Sequence, residues 1–317
     1  MATLEAANHL SVRRRRLRRE TTLTFWLMVS PLVLGLLIFT FAPIVWGFLV
    51  SLFESRGTVS LKQFVGLANY QEILTDRAYL RSLVFISQFS VFMVPMTYLL
   101  SLLLAVLVQN ASFLKGFFRT VFFMPTAISY VIAAMIWRMS IFSGLPYGLA
   151  NMVSWVVFKA DPLAWIGTVR PPLHFVVLIS VRLWLQVGFY MIIFIAGMQD
   201  IPRELYEAAQ VDGAQSKWTL FRYITFPLLR NTSIFVVLLN MIHAFQAFAE
   251  FYNILGTTWT GGALLSLARP PLVYLYQIAM GQQYYGRGTA GAFVLSALMI
   301  IATLIQSRLT GGMGREA

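Results

Sequence analysis

The chain has no cysteine, which excludes a disulfide, a thiolate metal site and a cysteine nucleophile while leaving the compartment open. Charge is also scarce. Asp, Glu, Lys and Arg make up 11% of 317 residues, where a soluble domain carries roughly 25%. Lysine is confined to Lys62, Lys115, Lys159 and Lys217, and none follows a glycine, so no G-x-x-x-x-G-K-[ST] phosphate loop exists. The chain is therefore not expected to hydrolyse ATP itself. His9, His174 and His243 lie far apart, without metal-ligand spacing. No nucleophile–base pair stands out, so a membrane-embedded enzyme is a poor reading, with no catalytic residue, metal or bound cofactor expected.

What is present is apolar: 58% hydrophobic and 15% aromatic residues. This composition predicts an all-α, polytopic membrane protein. Thr21 to Phe53 carries no charged residue. It is too long for the core of a cleaved signal peptide, and no A-x-A site follows it. Six spans are expected, at about 23–50, 83–109, 120–142, 172–198, 231–254 and 288–307. Residues 54–81 and 143–170 read as loops, and 270–285 as a surface-lying or re-entrant segment. Residues 1–22 and 311–317 read as tails flanking a transmembrane domain over 23–310.

The net charge is +12. Six arginines, Arg13 to Arg16, Arg18 and Arg19, stand directly before the first apolar run, which marks a cytoplasmic end rather than a nucleic-acid site. Contact with anionic lipid headgroups would accompany it. With six spans, both termini and the 110–119 and 199–230 loops share one side. That side holds 14 of the 24 Lys and Arg, against 8 on the other, so it is expected to be cytoplasmic. Without the arginine run the count would be equal, so the orientation rests mostly on that run.

The segment 199–230 carries eight charges, four of each sign, and cannot span. Pro202 suits a first helical turn, and Glu204 and Glu207 lie near the positive dipole end. Ala208 and Ala209 offer a small-residue surface. Asp212-Gly213 signals a turn in which glycine can take positive φ. A second short helix then runs to Pro227, completing a helix-turn-helix.

Glu207-Ala208-Ala209-x-x-x-Gly213, followed by Ile224-x-Phe226-Pro227, resembles the "EAA" loop of ABC-importer permeases. The nearest likeness is the carbohydrate-uptake branch, similar to the first permease subunit of maltose or glycerol-3-phosphate importers. Gly66-Leu67-Ala68-Asn69-Tyr70 resembles that family's "GLxNY" phrase, and Tyr274-Leu275-Tyr276-Gln277 its "YxYQ" phrase. The resemblance covers roughly 23–310 and implies the type I importer transmembrane fold. It also implies that Glu204, Glu207, Ala208, Ala209, Asp212 and Gly213 form a coupling helix docked on an ATPase subunit. The implied partners are a second homologous permease, two ABC ATPases that use ATP and Mg, and an extracytoplasmic solute-binding protein. The implied location is a bacterial inner membrane.

Two departures stand out. Ala214 to Tyr223 is ten residues where the family usually has nine. An extra residue turns a helix by about 100°, and its absorption is expected near Ala214–Lys217. The family's "LTxGGP" phrase is degraded in Leu255 to Gly262, which lacks the proline.

Ionisable residues inside spans usually face a cavity or a partner. Arg182 and Glu250 are the clearest, and two readings stay open: a mutual pair that closes a gate or orders packing, or contacts along the substrate path. By the resemblance, the path tract on span four is Arg182, Trp184, Gln186, Phe189 and Tyr190. On span five it is Asn240, His243, Gln246 and Glu250. Aromatic faces stack on sugars and amides read hydroxyls. The expected function is import of a mono- or oligosaccharide into the cytoplasm, the alternative being an anionic or phosphorylated polyol such as glycerol 3-phosphate. A secondary transporter or channel acting alone is a further class, although the internal repeats common there are not evident.

Overall fold

A computed structural model describes residues 22, 24–168, 170–214, 216–256 and 268–309. The basic tail, the 311–317 tail and the degraded phrase over 257–262 fall outside the described residues. Four helices are each long and apolar enough to cross a membrane: α1 (Thr24–Ser51), α3 (Arg77–Asn110), α7 (His174–Gln199) and α13 (Tyr285–Leu309). Two bent pairs pass the same test when each is taken as one span. They are α4 (Lys115–Ala127) with α5 (Tyr130–Ile141), and α9 (Lys217–Leu228) with α10 (Arg230–Phe245). Six spans result, as the apolar runs predict.

One of these bends and a further break correct two of the expected boundaries. Span three is not one helix over 120–142. A 3-10 turn, Met124–Ala127, closes α4, and α5 leaves at 95° after Ser129. Ser129 has extended backbone, and its hydroxyl accepts from the Val131 amide, starting a new helix. Span five does not continue to 254. Helix α10 stops at Phe245, and a separate α11 (Ala249–Leu255) follows. Hydropathy alone marks neither break, because the polar residues there are isolated in mainly apolar stretches.

The expected loops also hold structure. Residues 54–81 contain an antiparallel pairing of Phe53–Glu54 with Gln63–Phe64, then α2 (Ala68–Thr75), and then the start of α3. Residues 143–170 contain α6 (Leu149–Phe158). The 270–285 segment is not surface-lying. It forms α12 (Pro271–Tyr276) and a π turn, with Val273, Tyr274, Leu275 and Ile278 buried.

The two phrases flanking the bundle act as clips at its end opposite the 199–230 loop. A helix ends with carbonyls that lack intrahelical partners. Asn69 answers one of them, donating its amide to Ser51 O at 2.8 Å, and also donates to Phe53 O in the strand that follows at 3.0 Å. Tyr70 meets the Ser51 hydroxyl at 2.7 Å. Asp76 caps α3 by accepting from the Ala78 amide at 2.7 Å. It also receives the Tyr274 hydroxyl from α12 and Arg287 from α13 at 2.9 Å. Burial works against ionisation of Asp76. The Tyr274 hydroxyl, the two capping amides and Arg287 outweigh it, leaving the carboxyl below its ordinary range. This contribution to stability is present above pH about 4 and is lost only as pH falls through the lowered value.

Helices α3, α7 and α10 form the centre. One apolar cluster gathers Ile86, Phe89, Val177, Val181, Leu185 and Phe251 at the clip end. A second gathers Leu102, Ala105, Tyr190, Phe194, Leu229 and Val236 at the loop end. Between them along the same helices lie Thr97, Ser101, Gln186, Asn240 and His243, all but His243 buried, while Arg182 stands one turn nearer the clip end, between Val181 and Leu185 of the first cluster. The bundle thus has a polar belt between two apolar layers.

Helix α7 reaches this belt by close approach to α4. A Cβ on Gly188 would collide with the Phe122 carbonyl. By contrast, Gly35 has nothing within 4 Å of its Cβ position. Gly188→Ala is expected to cost about 1–3 kcal/mol of overpacking, read as a lower melting temperature of the purified protein. Gly35→Ala should change it little, and equal melting points for the two variants would contradict the close approach.

Candidate functional site

The break in span five builds the site. At the end of α10, the Gln246 amide bonds Ile242 O at 3.2 Å, and the Ala247 amide bonds Ala244 O at 3.3 Å. The tightened turn passes over His243 O, leaving that carbonyl without its i+4 amide. Arg182 supplies the donor from α7, one terminal nitrogen reaching His243 O. Its other terminal nitrogen pairs with Glu250 in the first turn of α11. Both side chains are only 2% exposed. One arginine therefore bridges the two sides of the break. The Phe89 ring lies 5.8 Å from the guanidinium, and the flat cation packs on it.

Beside this clasp is a cavity of about 310 Å³, lined by Tyr130, Arg182, Gln186, His243, Gln246, Phe248 and Glu250 together with Ala247 and Ala249. Gln186 donates to the Tyr130 hydroxyl at 2.9 Å. Its own carbonyl oxygen is buried and has no partner among the described residues, so the site holds an acceptor suited to a ligand's O–H. Tyr190 lies behind, its hydroxyl 2.9 Å from His243 Nδ1. Phe248 stacks on Tyr252 at 5.4 Å and meets Tyr276 edge-on at 5.3 Å, giving the rim an aromatic wall.

Five of the nine path candidates therefore meet in one cavity: Arg182, Gln186, His243, Gln246 and Glu250. Tyr190 joins through His243. The other three lie outside the lining. The Trp184 ring sits 4.9 Å from that of Trp137 on α5. Phe189 packs with the loop-end cluster. Asn240 donates to Val94 O at 3.2 Å, tying α10 to α3 beside Pro95. Tyr130 and Phe248 escaped the sequence reading. Both depend on breaks in spans three and five that an uncharged run does not reveal.

The charged loop forms α8 (Arg203–Val211), the turn and α9, which is also the first arm of the bent fifth span. Glu204, Glu207, Ala208 and Val211 share a stripe at i, i+3, i+4 and i+7 and are all exposed. Asp212 and Gly213 are exposed and Ala209 is half-buried. Gly213 has φ +93° and open space around its Cβ position, so backbone handedness alone selects glycine there. Tyr206 on α8 reaches the Thr225 hydroxyl at 2.9 Å, holding the two arms together. Helix α9 contains a π turn, Phe221–Thr225. Such a turn takes up one residue more than an α turn. It offers a place for the extra residue downstream of Ala214–Lys217, where absorption was expected.

Residues 97–315 match the family described as "Binding-protein-dependent transport system inner membrane component". The chain is 30% identical over 289 residues to the trehalose/maltose transport system permease protein MalF of Thermococcus litoralis, covering 90% of this chain and 93% of that one. It is 30% identical over 287 residues to the sn-glycerol-3-phosphate transport system permease protein UgpA of Agrobacterium fabrum, covering 89% and 93%. Its fold is similar to a chain in the crystal structure of a bacterial ABC transporter involved in the import of the acidic polysaccharide alginate. That match has a TM-score of 0.80 and 20% identity, and covers 95% of this chain and 100% of that one.

Breaking one partner of a buried ion pair costs about 3–5 kcal/mol, whereas replacing both with apolar residues of similar volume is far milder. Glu250→Leu alone is expected to lower thermal stability sharply. Arg182→Met combined with Glu250→Leu should recover part of the loss but not all of it, because His243 O is then left without its donor. A single Glu250→Leu variant as stable as the parent would remove the clasp from the account.

Proposed function

The chain belongs to the binding-protein-dependent transport system inner membrane component family, and from that premise we propose that it is the permease subunit through which an ATP-driven importer passes a neutral carbohydrate into the cytoplasm. The observation that carries the substrate class is the electroneutral lining of the cavity. A phosphorylated polyol calls for an unopposed cation. Arg182, the cationic side chain in the lining, spends one terminal nitrogen on Glu250 and the other on His243 O. What the cavity offers instead is an amide acceptor, a phenol and aromatic faces, which suit hydroxyls and sugar rings. Related permeases serve both sugars and glycerol 3-phosphate by name, so the charge balance of the cavity is what separates the two readings.

In this proposal the 199–230 loop faces the cytoplasm, as the 14-to-8 distribution of basic residues supports. The stripe of Glu204, Glu207 and Ala208, with Ala209 and the Asp212-Gly213 turn beside it, docks on an ABC ATPase. A second permease carries the other ATPase, and ATP and Mg are used there rather than by this chain. A solute-binding protein delivers the sugar at the clip end. Helices α8 and α9 join spans four and five directly, so a push on the loop is transmitted as rigid-body motion to the helices that line the cavity. Arg182, Gln186, Tyr190, His243, Gln246 and Glu250, together with Tyr130 and Phe248, form the path or position its walls. Trp184, Phe189 and Asn240 support it from behind.

Reconstitution with the cognate binding protein tests the substrate class: uptake is expected for a neutral oligosaccharide and not for a phosphorylated polyol, and the reverse preference would overturn the reading. Two loop variants test coupling. Glu207→Lys places a cation in the docking stripe, and Gly213→Pro demands φ near −65° where the chain needs +93°. Both variants should insert normally and lose most uptake while the complex still hydrolyses ATP. Unchanged uptake in both would refute the coupling role.

A further inference from the structure

A second cavity, about 600 Å³, lies at the loop end between the last turns of α3 and α7 and the two arms α8 and α9. It is not part of the docking stripe: its α8 residues are Arg203 and Tyr206, on a different side of the helix from Glu204, Glu207, Ala208 and Val211. Its lining holds two cations, Arg203 and Lys217, and no carboxylate. Neither cation makes an ion pair among the described residues. Each stands at the first position of its helix, where the backbone is already partly positive and a cation is least favoured. The C-terminal ends of α3 and α7, at Asn110 and Gln199, also border the cavity. Two helix ends of each sign nearly cancel at about half a charge apiece, so the two exposed cations set the sign of the lining, with Asp200, Glu204 and Glu207 near Arg203 outside it. Gln109 adds a donor: its carbonyl oxygen accepts from Arg119 at 3.1 Å, so the group it has left is its N–H pair. The remaining wall is apolar, with Val106, Met198, Ile201 and Leu220.

We propose that this cavity binds a phosphate-bearing anion, as a phospholipid headgroup or as free phosphate, between Arg203 and Lys217. The site lies where spans two and four end, which is where headgroups would lie. A bound phosphate would tie both arms of the loop to spans two and four from behind, leaving the docking stripe open. The inference is independent of which solute the permease carries.

The test uses the complete purified importer in detergent, with retained ligand read by native mass spectrometry and stability by thermal shift. The probes are short-chain phosphatidylglycerol, short-chain phosphatidylcholine and inorganic phosphate. Phosphatidylglycerol is expected to be retained over phosphatidylcholine and to raise the melting temperature. Arg203→Gln with Lys217→Gln should weaken this retention by roughly thirty-fold, on the scale of two cations near a membrane surface. The exposed Arg222→Gln should leave it unchanged. Val106→Trp, which fills the cavity without altering charge, should abolish it and guards against misfolding of the charge variant. Equal protection by inorganic phosphate assigns the site to a free anion, and protection by the lipid alone assigns it to a headgroup. Equal retention of both lipids without protection by phosphate, or retention undiminished in both cavity variants, would overturn the proposal.

Discussion

A broken helix inside a bilayer leaves carbonyls that water cannot reach, and each must be answered from within the protein. In this chain the demand falls on His243 O, and the answer is Arg182. A lone guanidinium is itself costly at that depth, so Glu250 on the far side of the break accompanies it. The break, the arginine and the glutamate form one unit. The cavity exists because α10 and α11 part company there, and its lining is electrically balanced because the clasp uses its own charges. The same residues thus hold the span together and, in the proposed function, bear on which solutes the path accepts.

Helices α8 and α9 are bonded to each other by Tyr206 and Thr225 and continue into spans four and five. The polar belt lies on those two spans and on α3, between two apolar clusters. Close-packed apolar layers move as units rather than deforming gradually, whereas the belt between them is held by a few directional bonds. A shift of the loop is therefore most easily taken up at the belt. In the proposed function this puts the coupling loop and the cavity at two ends of one mechanical path.

Much of this was open to a reading of residues. The uncharged runs marked six spans, and the Glu207-Ala208-Ala209 phrase marked the loop. Arg182 and Glu250 stood out because charge is so rare elsewhere. The breaks at 128–129 and 246–248 were not visible, since each shows only a single polar residue, Ser129 or Gln246, in a mainly apolar stretch. Residues 270–285 read as surface-lying or re-entrant because of Pro270, Pro271 and the glutamines, and the burial of Val273, Tyr274 and Leu275 removes the surface-lying reading. Asn69 and Tyr70 gave a phrase without a purpose until the chain end of α1 was seen beside them.

What the sequence determined by itself follows from local, additive quantities: the number of spans, the all-helical class, the loop that cannot enter the membrane and the left-handed position reserved for Gly213. Each depends on hydropathy, charge or backbone sterics within a few residues. What only the tertiary structure decided are pairings across large separations: Arg182 with Glu250 and His243, Gln186 with Tyr130, Asp76 with Tyr274 and Arg287. These follow from where helices bend and how closely they approach, as at Gly188 against Phe122. Whether Arg182 meets a substrate or a carboxylate is such a question, because a single side chain's type cannot reveal which partner lies across the bundle.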